Sequence, residues 1–245
     1  DIKSENELRL ISEAGRVVRL ILEELKYAAR PGITTASLAE KAEEIIKKCN
    51  SRSAFKGYRG YPGIICTSLN EQVVHGIPGE KRLSSGDILS IDVGIEKDGY
   101  FADSAITIPI GDKVSKNAAR LIDITEKSLY LGIEKAVEGN RLFDISNAVQ
   151  QFSESHGYGV VRDFVGHGIG KSLHEEPEVP NWGKQGTGPR LKNGMVLAIE
   201  PMINEGGYEV EVLPDGWTAV TKDRSLSAHF EHTIAITEHG PKVLT

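Results

Sequence analysis

The sequence predicts an α+β fold, a largely antiparallel sheet with helices packed on one face, and three observations predict it. Helical and strand-like segments come in blocks rather than alternating singly, the strand segments read as hairpins, and the helical blocks recur at a fixed offset. The first long helix begins after Ser4, where Ser4-x-x-Glu7 is a capping box. Leu8, Ile11, Val18, Ile21 or Leu22, and Leu25 form its apolar stripe, and Pro31-Gly32 stops it. A shorter helix is expected from about Ser37 to Cys49, with Leu38, Ala42, Ile45, Ile46 and Cys49 on one face. A second long pattern runs from about Ser115 to Val137 and ends at Gly139; a short helix follows after Asp144, striped by Ile145, Val149 and Phe152.

Gly32 and Gly139, Leu38 and Ile145, Ala42 and Val149, and Ile45 and Phe152 are each separated by 107 positions. The chain therefore reads as one domain, 1–245, with an internal duplication of roughly 1–110 and 111–245. After each helix pair come segments rich in β-branched residues, "GIICTSL", "DILSIDVGIEKDGYFADSAITIPI", "MVLAIEPMIN", "WTAVTK" and "HFEHTIAIT".

Carboxylates inside those strands carry the chemistry. Asp98-Gly99 is a strong two-residue hairpin signal, which sets Asp103 opposite Gly94 and makes Asp92 and Asp103 diagonal neighbours on one face. Two ionised carboxylates on a packed face repel and are poorly solvated, so they are either surface residues or neutralised by something. Glu200 favours neutralisation, because it is the lone acid of an apolar run and Pro201 holds it extended. Under the 107 offset Asp92 maps one residue from Glu200. Glu231 is a fourth acid inside a strand pattern.

Among seven histidines, His156 and His239 sit among polar residues near element ends and read as bland. His167 and His174 belong to "GHGIGKSLHEEP", whose glycines bring bare backbone close to His167. That segment has neither dinucleotide-loop nor P-loop spacing, and "HEEPE" lacks the second His of a zincin helix. Four carboxylates with one or two imidazoles suit a pair of divalent metals, hence a metal-dependent hydrolase.

Composition narrows the class. Lys and Arg number 29 against 35 Asp and Glu, a net charge of −6 with no basic face, which argues against nucleic acid and anionic membranes as partners. No apolar run approaches a membrane span, and the two cysteines with no secretory pattern at the start suit a reducing cytoplasm. The first residue is Asp, which leaves open whether a Met or a leader was removed. The 26 glycines call for many tight turns or backbone packed close around something.

Five motifs in order, "NEQVVHGIP", "IDVGIEKDGYFADSA", "GHGIGKSLHEEP", "AIEPMI" and "DGWTAVTKDRSLSAHFEHT", resemble those of the type I methionine aminopeptidases of the pita-bread fold. The likeness runs from about residue 4 to the C-terminus. It implies a pseudo-twofold fold, a curved, mainly antiparallel sheet with helices on its outer face. It implies Asp92, Asp103, His167, Glu200 and Glu231 as ligands of two divalent ions, Co, Mn, Fe or Zn, whose identity the sequence does not fix. It also implies His75 and His174 as active-site histidines, and Tyr58, Tyr61, Cys66 and Trp217 as candidates for the side-chain pocket. Phe55, Arg59 and Leu173 depart from the pattern usual in bacterial members, at positions where a small residue, a His and an aromatic are frequent. Phe55 and Leu173 could trade bulk across the pocket, and the second-residue preference stays open.

The implied activity is removal of the N-terminal methionine from nascent chains, near the ribosome, by a cytoplasmic monomer. A metal-bridging hydroxide would attack, Glu200 would shuttle the proton to the departing amine, His174 would bond the carbonyl oxygen and His75 would steady the intermediate near the scissile nitrogen. The short span from His167 to Glu200 leaves no room for the insertion of type II enzymes, and no extra N-terminal domain of the prolidase kind is expected. The competing class is a binding module on the same fold. Such relatives typically lose ligands, whereas this sequence keeps all five and both histidines.

Overall fold

The helix starts show how the local sequence sets the frame. In the computed structural model, which describes residues 1–245, α1 (Glu5–Ala28) opens on the expected capping box, with Ser4 N–H donating to Glu7 Oε2 at 2.9 Å and Glu7 N–H donating to Ser4 Oγ at 3.4 Å. α2 (Thr35–Lys48) begins earlier than Ser37 because Thr34 is its cap: Thr34 Oγ1 accepts from Ser37 N–H at 3.1 Å, which leaves Ser37 in the first turn. α3 (Lys116–Glu134) is capped by Ser115 but stops short of Val137, where Lys135 and Ala136 donate to the carbonyls of Gly132 and Ile133 in tightened terminal turns. α4 (Leu142–Ser155) starts before Asp144, whose carboxylate caps from inside by accepting Arg141 N–H at 2.8 Å. α2 and α4 are each 14 residues long. No helix is long and apolar enough to cross a membrane.

The main sheet has nine strands, and every pairing in it is antiparallel. Its two longest strands form the hairpin of Ile88–Lys97 and Tyr100–Pro109, joined at Asp98 (φ 51°) and Gly99 (φ 79°). Two positive φ angles make the mirror-image turn that matches strand twist, and only glycine adopts the second freely. Gly94 pairs with Asp103 and Asp92 with Ala105, so the two aspartates are diagonal neighbours as the turn predicted. Tyr100–Pro109 pairs with Glu231–Thr237, which pairs with Val196–Ile199, which pairs in turn with Gly166–Gly168.

One segment departs from a simple strand. "MVLAIEPMIN" splits at Glu200-Pro201 into Val196–Ile199 in the main sheet and Met202–Asn204 in a three-stranded sheet. Pro201 has no N–H to continue the ladder. The partner segment breaks at the matching place: Ser227–His229 pairs with Met202–Asn204, and after Phe230 the chain returns to the main sheet at Glu231. Glu200 and Glu231 both therefore sit where a strand passes from one sheet to the other.

Strand alternation decides which face is wet. Ile91, Val93 and Ile95 pack with Ile11, Val18, Ile21 and Leu25 of α1 and Leu38 and Ile46 of α2. Leu129 and Ile133 of α3 and Ile145 of α4 pack with Leu197, Ile199, Ile234 and Ile236. The helices thus take up the outer face of the sheet, and the intervening positions Asp92 and Glu231 turn the other way.

Candidate functional site

That inner face closes a cavity of about 570 Å³. Asp92, Asp103, His167, Glu200, Glu231, His75, His174, Tyr58, Tyr61, Cys66 and Trp217 all line it, and so do Phe55, Arg59 and Leu173. His156 and His239 do not.

At its floor Asp103, His167 and Glu231 are buried and offer ligand atoms that lie within 4.8 Å of one another. His167 Nε2 is 3.4 Å from Asp103 Oδ2 and 3.6 Å from Glu200 Oε1. Its other nitrogen, Nδ1, donates to the Gly168 carbonyl at 2.9 Å, which aims Nε2 at the carboxylates. Gly166 makes this possible, because a side chain there would overlap the Ala198 carbonyl of the neighbouring strand. Asp103 is fixed by Thr233, whose Oγ1 accepts from Asp103 N–H at 3.1 Å and donates to its Oδ1 at 3.0 Å. Asn181 holds the Glu200 carbonyl at 2.9 Å, and Ser104 donates to the Glu231 carbonyl.

Electrostatically this floor concentrates negative charge. Burial first, and then the neighbouring carboxylates, push Asp92 and Glu231 well above the usual carboxylate range. Burial raises Glu200 to about 8, with His167 opposing and Asp103 adding. Burial alone would lower His167, but the Asp103 carboxylate, by charge and hydrogen bond, and then Glu200 outweigh it and hold the imidazole at about 9. Asp92 Oδ1 is wholly shielded and has no partner. Four carboxylates and one imidazole around an orphaned oxygen are a donor set that divalent cations satisfy and that hydrogen bonds within the protein do not.

The upper walls are different. His174 Nδ1 lies 2.7 Å from the Tyr58 hydroxyl, and its ring stands 4.2 Å, edge to face, from that of His167. Burial, and then the charge of His167, lower His174 to about 4, so the ring is neutral. His75 has φ 61°, a strained backbone for a residue with a side chain, and its ring meets Phe164 edge-on at 5.3 Å. Burial pushes its pKa down as well. Tyr61 and Trp217 meet edge to face at 5.2 Å, with the Tyr61 hydroxyl donating to the Gly76 carbonyl at 3.0 Å, and Phe55 packs over Gly94. The result is an apolar recess beside a charged floor.

Sequence reasoning missed several groups. Phe164, Asp163, Glu175, Glu176 and Glu178 also line the cavity. His229 lies just behind the floor, with its buried Nε2 unpartnered and 3.9 Å from Glu200 Oε2. Its place two residues before Glu231, on the same alternation, was the available signal. Asp163 and Glu178 gave none.

The model of metallopeptidase family M24 matches residues 9–238. A methionine aminopeptidase of Clostridium acetobutylicum is 54% identical over all of this chain and 98% of its own length. Among solved structures, a methionine aminopeptidase of Thermotoga maritima superposes with a TM-score of 0.98 at 45% identity, covering the whole chain and 98% of its own. A Pyrococcus horikoshii prolidase shares the fold at a TM-score of 0.80 and 24% identity; this chain covers 63% of it.

Proposed function

The chain belongs to metallopeptidase family M24, and from that premise we propose that it is a metal-dependent aminopeptidase, a hydrolase that removes the N-terminal methionine of peptides and nascent proteins. The observation that carries the proposal is the joining, in one cavity, of an uncompensated carboxylate–imidazole floor with an apolar aromatic recess. In this reading Asp92, Asp103, His167, Glu200 and Glu231 hold two divalent ions. When bound, these supply Lewis acidity to the scissile carbonyl and acidify the attacking water.

The chain's own residues do the rest. Glu200, with its Oε1 3.6 Å from His167 Nε2 and its side chain on the cavity floor, is placed to take a proton from water and pass it to the departing amine. His174 is neutral and carries one ring proton. In the tautomer this role requires, the Tyr58 hydroxyl donates to Nδ1 and the ring proton sits on Nε2, where it can bond the carbonyl oxygen as charge develops. His75, held in its strained conformation, steadies the tetrahedral carbon from the scissile-nitrogen side. Tyr58, Tyr61, Cys66 and Trp217 receive the methionine side chain, with Phe55 and Leu173 trimming the recess; sulfur against aromatic edges favours that choice. The burial of Asp92 and Glu231 among like charges supports a two-ion site over a single ion.

We also read 1–110 and 111–245 as two copies of one unit, supported by the equal lengths of α2 and α4 and their matching place in each half. The unpaired Cys49 and Cys66 suit a reducing cytoplasm, where the enzyme acts as a monomer on N-termini emerging from ribosomes. The test is release of free methionine from Met-Ala-Ser, its abolition by a chelator, and its recovery with Co(II), Mn(II) or Fe(II). Glu200→Gln should fold and show turnover reduced by roughly 10²- to 10⁴-fold. Near-normal turnover by that variant would sink the role given to Glu200, and no release with any metal would favour a binding protein.

A further inference from the structure

The loop from Gly170 to Glu175 carries Leu173 and His174 over the cavity, and it is pinned from the opposite end of the chain. Lys3 precedes α1, where a lysine normally points into water. Here its side chain is 5% exposed, and its Nζ lies 2.5 Å from Glu175 Oε2. Lys3 N–H also donates to the Gly194 carbonyl at 2.7 Å, which anchors the arm to the body of the protein. The second oxygen of Glu175 closes the loop on itself by accepting Lys171 N–H at 2.7 Å and Ser172 N–H at 3.1 Å. Gly170 leaves just enough space for the lysine stem, since a side chain there would overlap Lys3 Cε. Around this pair, Lys171 Nζ reaches Glu7 Oε1 at 3.2 Å and Phe101 N–H holds the Gly170 carbonyl at 2.8 Å.

The residue just before the Lys3 contact is the histidine to which the active-site role was given. His174 directly precedes Glu175, and its ring is met by the Tyr58 hydroxyl at Nδ1 and by the edge-to-face ring of His167. We propose that Lys3 is a positioning residue: its buried contact with Glu175 ties the N-terminal arm to the 170–175 loop and so holds His174 at the height where it meets the carbonyl oxygen of the substrate. Lys3 touches neither the floor nor the substrate. Its effect on turnover passes through His174, and the inference rests on the role given to His174 above.

The double-mutant cycle of Lys3→Met with His174→Ala tests it, with kcat and KM for Met-Ala-Ser measured at saturating Mn(II). Misplacing a catalytic group costs on the order of 10- to 100-fold in kcat with little change in KM, and that is the effect expected of Lys3→Met. In the His174→Ala background, Lys3→Met should have no further effect, because the group it positions is gone. Mn(II) affinity by calorimetry should be unchanged. The same fold-loss in both backgrounds would overturn the proposal, since it would mark a structural role unconnected to His174. A wild-type kcat for His174→Ala alone would instead overturn the reading of the site, a separate failure. Should Lys3→Met fail to fold around an unpaired carboxylate, Lys3→Met/Glu175→Gln removes both charges and keeps an oxygen for Lys171 and Ser172. It should fold with the same reduced kcat. A wild-type kcat for that variant, or its failure to fold, would overturn the tether.

Discussion

Stripped of divalent ions, this protein should lose stability as the pH rises, the reverse of ordinary acid denaturation. The perturbation is exhaustive chelation, which leaves Asp92, Asp103, Glu200 and Glu231 facing one another around His167. Glu200 stands at about 8 in the folded chain against an ordinary 4.5. A raised pKa means that the fold keeps a proton the unfolded chain has already released, so its contribution is whole below pH 4.5 and is lost as the pH climbs through 8. At about 1.4 kcal/mol per pH unit, Glu200 and the groups that share its protons together remove on the order of a few kcal/mol by pH 8. Asp92 and Glu231, raised by burial, act with the same sign. So does His167, held at about 9 against 6.5, whose contribution disappears between those two values. Against a total stability of roughly 5 to 15 kcal/mol for a domain, this is a large share. Urea unfolding followed by the fluorescence of Trp182 and Trp217 measures it directly. The midpoint of the chelated protein should fall steadily from about pH 5.5 to about pH 8. With Mn(II) restored the fall should shrink or reverse, because ligands must be deprotonated to bind. A chelated midpoint that is flat or rises over that range would refute the claim that the floor is a set of uncompensated buried carboxylates.

Three substitutions probe the rest of the site. Gly166→Ala drives a methyl group into the Ala198 carbonyl, so it should cost about 1 to 3 kcal/mol and weaken metal binding at His167; thermal melting and calorimetric titration check both, and an unaltered Tm would contradict the packing. Tyr58→Phe removes the hydroxyl 2.7 Å from His174 Nδ1 and should lower kcat by roughly 3- to 10-fold while KM holds. A lowered affinity with intact kcat would assign Tyr58 to the pocket alone. Phe55→Ala empties a buried ring from the recess over Gly94, at a cost of about 3 kcal/mol or more, and should shift preference toward bulkier N-terminal residues in a competition assay with Met, Leu and Phe tripeptides.

The parts of this site that the sequence made legible are those governed by short-range rules. Period-two alternation and one Asp-Gly turn fix the register of ten residue pairs, so the diagonal placement of Asp92 and Asp103 follows from a single hairpin signal. The same locality explains the errors at the starts of α2 and α4. Thr34 and Ser37, or Arg141 and Asp144, are three residues apart, and an oxygen at either end of that spacing can close the first turn; only the folded chain selects Thr34 as cap in one case and the inward-reaching Asp144 in the other. What stayed illegible depends on closure between distant segments. Pro201 marks a break after Glu200, yet that this break coincides with a second one at Phe230 depends on Met202 pairing with His229, a contact no local window contains. His229 is hidden for the same reason: its alternation with Glu231 is visible, but the burial that leaves its Nε2 unpartnered is a product of both sheets meeting there. Lys3 is the extreme case, a charge near the chain start whose partner lies 172 residues on. Faces are thus written locally and the site is written by their assembly, which is why motif order could single out the acids and histidines that line the cavity while the groups that hold His174 and back Glu200 emerged only from the folded chain.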